Sequence, residues 1–597
     1  IYIDEKANKI AGSDIRFFFN DDENKIVEKN DPRIFSNGVV INEGVTELNK
    51  AICTYCEDKE NSRAPWSIKA KKITHNPATK TIYYDNAVLK IYDFPVFYYP
   101  KLSHPDPTVE RASGFLIPSY KDSVNTGAGF NIPYFWAISK DKDLTFTPKL
   151  FVSGQPLFLS EYRQDFEKSY LLIDAGFTNR DKKTTSAKNS GTKSLFLTKF
   201  KMDLIQEDNI ESNFELNLQK VSNDTFIKKY DINTQLIDRN ENILKNSIIY
   251  DYQKDDMFFG ATVSAYDDLS QVTNSKYEYL LPDITFDKTL LADKNLGLLD
   301  YSSNFRVRNY DVNRQEDFFV NNLDWKSNIN ILNNGLNSQF LAKVKTVNYS
   351  AENTKTFKND QFTSELSGAF GYLAKLDLFK DNFSNKTLQR FTPKLLVRYA
   401  PGHMRDIKKS STLRYSSLYK LNKVNEIDVI ENGLSASVGF EYRNSTLKDD
   451  NTIKNENFSF RVGQVISDKE NSDMAPNTSL DQRFSDVVGR TTFDLNKNVS
   501  FNYKFAIDQG YRKFNFNDFG VSLVSDAVGF NINFLEEKDH IGNQQYINSD
   551  INFNINNANT LSFTTKRNLL TNSAEFYNLS YNYINDCLKA GLVYRRE

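Results

Sequence analysis

The sequence predicts an all-β chain built around a large antiparallel transmembrane β-barrel, with a smaller β domain before it. Three observations predict this. Apolar and polar residues alternate with a period of two over the C-terminal five-sixths of the chain, which is the pattern of strands with one greasy and one wet face. Aromatic residues make up 14% of the 597 residues although the mean hydropathy is −0.56, and disordered chains are poor in aromatics. The longest near-apolar runs, Phe94 to Pro100 and Ile132 to Ile138, fall far short of the ~18 residues that a membrane helix needs. A barrel escapes that test, because only alternate residues of each strand face lipid and the sequence reads as polar on average.

Residues 1–104 hold short β-rich runs, Ile82-Tyr83-Tyr84, Ala87-Val88-Leu89 and Ile91-Tyr92, each bounded by polar residues. Pro95, Pro100, Pro105 and Pro107 then crowd one stretch, which suits a domain junction because proline cannot join a central ladder. The boundary is placed there, with the barrel over residues 105–597. Within it Leu144, Phe146, Pro148, Leu150 and Val152 alternate with polar residues, as do Leu434 to Tyr442 and Val499 to Ile507. The set ends with Tyr577-Leu579-Tyr581-Tyr583 and Leu588-Ala590-Leu592-Tyr594. At roughly 9 to 11 residues per spanning strand plus its turn, this length holds more than about twenty strands. Residues 181–193 and 448–455, rich in lysine and asparagine, read either as long extracellular loops or as ordinary solvated hairpin loops. Tyr2-Ile3-Asp4 reads like the middle of a strand, with no basic and apolar leader before it, so an N-terminal truncation is expected.

Lysine plus arginine at 75 nearly cancels aspartate plus glutamate at 77, which leaves no global positive field for a nucleic-acid partner. No Ser/His/Asp set, carboxylate pair or Gly-rich phosphate loop stands above chance, so no enzyme and no cofactor is expected. Cys53 and Cys56 form a lone C-x-x-C. It lacks the second ligand pair of a zinc site, His75 and His104 have no matching spacing, and the βαβ context of a redox motif is missing; no metal site is expected. With Cys587 the cysteines number three, an odd count that leaves a free thiol or a partner outside this sequence.

The segments Trp66 to Ala70, Ile73 to Ala87 and Phe94 to Pro100, followed by Ser103 to Val109, Ser113 to Ser119, Ile132 to Trp136 and Asp143 to Pro148, resemble the LptD family of lipopolysaccharide-assembly proteins over about 80 consecutive residues. The resemblance implies an LptA-like periplasmic β-jellyroll joined to an outer-membrane barrel of roughly 26 strands, within the known size range. It implies a translocon that receives lipopolysaccharide from an LptA-like periplasmic bridge protein and inserts it into the outer leaflet. Acyl chains then pass along the jellyroll and a lateral gate, and sugars through a lumen that holds an LptE-like plug lipoprotein. The N-terminal domain faces the periplasm and the barrel meets outer-membrane lipids. The family usually continues past Arg595-Arg596-Glu597 into a closing strand, so a C-terminal truncation is expected too.

Three sets of residues follow from that resemblance. Pro133 and Pro148 match prolines of the family's first two barrel strands, and Pro118 stands where the chain comes into the barrel. Proline removes a ladder donor, so these positions either weaken a gate or merely end strands. In an oxidising periplasm an interdomain disulfide is implied, from Cys53 or Cys56 to Cys587, with a local Cys53–Cys56 bond as the alternative. Ile68, Ile73, Ile82, Tyr84, Leu89 and Ile91 line an acyl-chain path or, equally, fill a closed β-sandwich core. Two other classes compete: a porin or nutrient-receptor barrel, whose N-terminal part should be absent or a plug, and a soluble β protein, which should show no lipid-facing band.

Overall fold

The computed structural model describes residues 1–4, 9–18, 33–56, 64–106, 109, 111–123, 125–152, 154–179, 192–271, 274–382, 386–448, 452–585 and 587–596. Most of the loop at 181–193, and residues 449–451 of the loop at 448–455, lie outside the described residues. Seven strands come first: β1 (Tyr2–Asp4), β2 (Lys9–Phe18), β3 (Arg33–Asn42), β4 (Val45–Thr54), β5 (Trp66–Asn76), β6 (Thr81–Ile91) and β7 (Phe94–Pro105). They pair antiparallel in sequence order as one sheet. Period-2 burial in β3 and β4 turns Ile34, Val39, Leu48, Ala51 and Cys53 to one face, where Ala70, Ile73, Ile82, Tyr84 and Ala87 complete a core. Hairpin geometry fixes the register. Glu43-Gly44 and Tyr92-Asp93 have φ of 50° and 81°, and of 46° and 68°, the left-handed pairs that two-residue turns need to match strand twist.

The second sheet opens with β8 (Gly114–Phe115), β9 (Ser119–Ser123), β10 (Gly127–Asn131), β11 (Tyr134–Ala137) and β12 (Lys142–Phe151) and runs by successive antiparallel hairpins to a last strand, Lys589–Arg596. Four staves come in two pieces: β8 with β9, β10 with β11, Arg314–Lys326 with Asn330–Ile331, and Thr363–Leu376 with Leu378–Asn382. Joined, the described strands make 25 staves. The strand order comes round from the last strand to β8 and β9 as a ring. With an odd number of alternating staves, the first and last run in the same direction.

The side chains sort oppositely to those of a soluble protein. Phe196, Leu218, Ile248, Phe305, Phe340, Phe370, Val438 and Leu579 stand exposed on the outer face. Inside, Lys504 pairs with Asp518 at 2.7 Å, Asn533 donates to the same carboxylate at 2.8 Å, and Arg308 meets Glu278 at 2.9 Å. Leaving one such apolar side chain in water costs about 1.5–3 kcal/mol, so a face made of them suits hydrocarbon, and the charged interior suits a wet lumen. No described helix is long and apolar enough to cross a membrane, a test that does not bear on strands.

The interior is filled from the ends of the staves. Residues 401–432 and 468–486 fold inward, and Met404, Ile407, Leu413, Leu418, Val424, Val429, Met474 and Leu480 pack with wall residues Val465, Val488, Ala506 and Phe516. The wall makes room with glycine. A Cβ on Gly371 would sit 2.6 Å from Leu421, and one on Gly439 2.7 Å from the Tyr419 hydroxyl.

Candidate functional site

Two breaks define the start of the barrel. Pro118 lies between β8 and β9, and Pro133 between β10 and β11. The first stave therefore holds its neighbour by five register partners along β9 and two along β8. Two hydrogen bonds bridge the breaks, Leu116 N–H to Pro133 O at 2.8 Å and Ile132 N–H to Pro148 O at 3.1 Å. The proline positions expected from the sequence shift by one stave. Pro118 and Pro133, not Pro133 and Pro148, interrupt the first two staves, while Pro148 sits inside the continuous β12 opposite Phe158. The reason is local: a two-piece stave needs its missing donor at the break, and Pro148 keeps its carbonyl in the ladder.

On the other side of the first stave, among the described residues, no register partners join β8 or β9 to Lys589–Arg596. All residues of that last strand are exposed. This return step is a seam. Its outer side carries aromatic rings: Phe115 meets Tyr134 at 5.1 Å, Tyr120 meets Phe130 at 5.2 Å, and Phe146, Phe158 and Phe177 continue the row at 6.0 and 5.2 Å. Its inner side is covered by residues 222–242. The helix Phe226–Tyr230 buries Phe226, Ile227 and Tyr230 among Leu157, Leu195, Leu197 and Val221. Asp231 ends that helix at φ 48°. Its carboxylate accepts from Arg239 at 2.7 Å and pairs with Lys121 of β9.

The N-terminal sheet is tied to this seam. Cys56 and Cys587 form a disulfide with Cα atoms 5.2 Å apart across 531 residues of sequence. Cys587 lies in the turn before the last strand. Trp66 Nε1–H donates to the Cys587 carbonyl at 2.8 Å, and the Tyr92 and Tyr583 hydroxyls meet. Of the pairings open from sequence, Cys56–Cys587 is therefore the bond formed. Cys53 stays a buried thiol, pushed up to about 11 by burial although it bonds with Tyr84. Tyr84 in turn meets His104 Nε2 at 2.7 Å, and His75 meets Asp106 at 3.1 Å. Burial lowers the His104 pKa.

The six residues expected to line an acyl path divide. Ile73, Ile82 and Tyr84 are sealed in the packed core of the sheet, Ile68 and Leu89 are half-buried, and Ile91 is 36% exposed at the end of β6. Beside Ile91, in the proline-rich stretch expected to be a junction, stands an apolar surface: Phe94, Val96, Phe97 and Tyr98 of β7 are all exposed. The alternation-free run Phe94-Pro-Val-Phe-Tyr-Tyr-Pro was the signal, since a strand apolar at every position has no wet face.

A family model described as LPS transport system D matches residues 205–560, more than half of the chain. This chain belongs to that family. A second model, LptD protein, matches residues 82–293. An LPS-assembly protein LptD from Nitrosococcus oceani is 30% identical over 207 residues, which cover 33% of this chain and 28% of that protein. Another from Ectopseudomonas mendocina is 26% identical over 278 residues, 46% of this chain and 28% of the relative. A third from Pseudomonas aeruginosa is 31% identical over 132 residues, 22% and 14% respectively. The matched stretches thus span under a third of each relative. The ferric preacinetobactin receptor BauA of Acinetobacter baumannii overlays 96% of this chain and 93% of its own at 8% identity, with a TM-score of 0.21, a likeness that carries no argument.

Proposed function

We propose that the chain is the outer-membrane translocon that takes lipopolysaccharide from the periplasm and inserts it into the outer leaflet. Residues 1–104 are its periplasmic lipid-carrying part, and 105–597 the membrane barrel. Acyl chains run along the half-buried Ile68, Leu89 and Ile91 and the exposed rings of β7 to the seam, while the sugars use the lumen. The observation that carries this reading is the tether: the disulfide to Cys587 holds the N-terminal sheet at the last hairpin, beside the stave with the weakest pairing. An amphiphile has acyl chains that cannot cross water and a head that cannot cross hydrocarbon, so a lipid-facing exit next to a wet lumen serves both ends. An LptA-like bridge protein feeding the sheet and an LptE-like plug in the lumen complete the assembly. Guidance of this kind needs no bond chemistry.

The test is site-specific photocrosslinking in cells, with reactive residues at Leu89 and Ile91 and at sealed Ile82 as the comparison. Lipopolysaccharide adducts at the first two positions that depend on energy-driven supply are expected. Their absence in a folded, outer-membrane-inserted protein would favour a porin or nutrient-receptor barrel.

The gate carries its own prediction. Pro118→Ala together with Pro133→Ala returns two ladder donors to the first staves. At about 1 kcal/mol per hydrogen bond, parting of the first stave from the second becomes roughly tenfold rarer or more, the first stave yields less beside the seam, and delivery of lipopolysaccharide to the cell surface slows. Pro148→Ala, in an unbroken strand, leaves delivery unchanged. Equal effects of all three, in a surface-labelling time course, would end the gate reading.

A further inference from the structure

The seam has an unlike pair of sides, and the inner one is cationic. Tyr120 and Tyr594, at its two borders, are exposed on the outer face. By strand alternation their neighbours Lys121 and Arg595 face the lumen. Lys149 joins them: β10 pairs Gly129 with Lys121 and Phe151, and Asn131 with Ser119 and Lys149, so Lys121 and Lys149 lie one step apart on the same face. Arg239, from the segment that covers the seam, shares the Asp231 carboxylate with Lys121. Arg595 stands within Coulombic range of both Lys121 and Arg239.

Four cations thus come together from the first stave, the third stave, the last strand and the covering loop. The carboxylates of Asp231 and Asp238 stand against them. Among the described residues the Lys149 ammonium makes no ion pair or side-chain hydrogen bond. A half-buried ammonium without a partner carries a desolvation cost, which a visiting anion would offset. Structural need does not account for such a group, since Lys121 and Arg239 already satisfy Asp231.

We infer that Lys121, Lys149, Arg239 and Arg595 form an anion-binding patch on the lumen side of the seam, which takes the phosphate groups of a phosphorylated amphiphile as its chains leave between Tyr120 and Tyr594. This rests on the transport reading above and adds to it the feature of the head group that the seam recognises. Phosphate suits a patch supplied by several separate cations, because its oxygens accept from several directions and charge-assisted bonds are the strong ones. Seated there, the head stays in the lumen while the chains meet the aromatic row outside, so the patch orients the amphiphile at the exit.

The test measures binding of lipid A bearing two phosphates to the full-length protein, with dephosphorylated lipid A and phosphatidic acid as comparisons, at low and high salt. At low salt the bisphosphorylated form is expected to bind about tenfold tighter than the dephosphorylated one, with the difference shrinking as salt screens the patch. Lys149→Gln should lose about threefold to fivefold of that preference, and Lys149→Arg should keep it. Heat-modifiable gel migration checks that each variant is folded. A preference for phosphatidic acid over a neutral lipid supports recognition of phosphate itself, whatever its source. Equal binding of the two forms of lipid A by the unaltered protein overturns the patch without needing any variant. Crosslinks at Leu89 and Ile91 would then still decide the transport reading separately.

Discussion

Changing either Cys56 or Cys587 to serine is expected to release the N-terminal sheet from the seam, and changing both should do no more than changing one. The bond closes 531 residues of sequence. Loop-closure entropy for a span of that length is worth about 6 kcal/mol as an upper bound, and measured disulfides give about 2–4 kcal/mol. The remaining contacts at the tether are smaller. The Trp66 indole bond to the Cys587 carbonyl contributes about 1 kcal/mol, and the Tyr92–Tyr583 pair is exposed. The covalent bond is thus the larger part of the attachment. Limited proteolysis of the segment between β7 and β8 provides the measurement: reductant should make the unaltered protein cleave like Cys56→Ser. Cys53→Ser should cleave like the unaltered protein, because that thiol is sealed and bonds only within its own sheet. Resistance to cleavage in reduced protein would mean that hydrogen bonds and packing hold the sheet in place.

Strand alternation made the barrel legible in the sequence. The runs at 144–151, 434–442, 499–507 and 577–583 are strands in the structure, because a two-sided environment writes itself into a period-2 pattern. The seam was partly legible. Prolines flagged the right region, but which stave each one interrupts depends on where neighbouring ladders stop, and that is a property of pairing partners distant in sequence. The cysteine pairing stayed open among three bonds, Cys53–Cys587, Cys56–Cys587 and the local Cys53–Cys56, and geometry decided among them, since Cys53 points into the sheet core and Cys56 lies past the end of β4. The infolded segments at 401–432 and 468–486 could not be read at all. Their residues show no strand period and look like any polar loop, and their burial comes from the enclosing wall, whose glycines at 371, 439 and 463 carry meaning only once the ring is built. Lys121 and Lys149 were equally silent, being two among 75 basic residues until strand register set them side by side.

One of those infolded segments supplies the second large effect: Glu431→Ala is expected to destabilise the interior by about 3–5 kcal/mol. Glu431 is buried between two cations, with Arg398 Nη1 at 3.3 Å and Lys423 Nζ at 3.4 Å, and its own carbonyl accepts from Arg398 Nη2 at 2.5 Å. Arg398 belongs to the wall strand Thr387–Ala400 and Lys423 to the infolded segment, so the carboxylate fastens loop to wall. Removing it leaves two sealed positive charges facing each other, whereas replacing all three with apolar residues of similar volume should be close to neutral. The pH dependence has a definite sign. Burial pushes the Glu431 carboxyl up, but Lys423 and Arg398 outweigh it and hold it below the usual carboxylate range. A depressed acid contributes stability that is present above its unfolded value of about 4.5 and is lost as pH falls through its folded value. Burial draws Lys423 down to about 8, so above that pH the fold sheds the proton more readily than the unfolded chain does, and alkali does not weaken the anchor. Hydrogen exchange over residues 401–432 provides the measurement, with faster exchange expected in Glu431→Ala at neutral pH and in the unaltered protein in acid. Unchanged exchange in the variant would mean that the apolar cluster around Leu418 and Val465 holds the segment alone, and that the charges are tolerated there without fastening it.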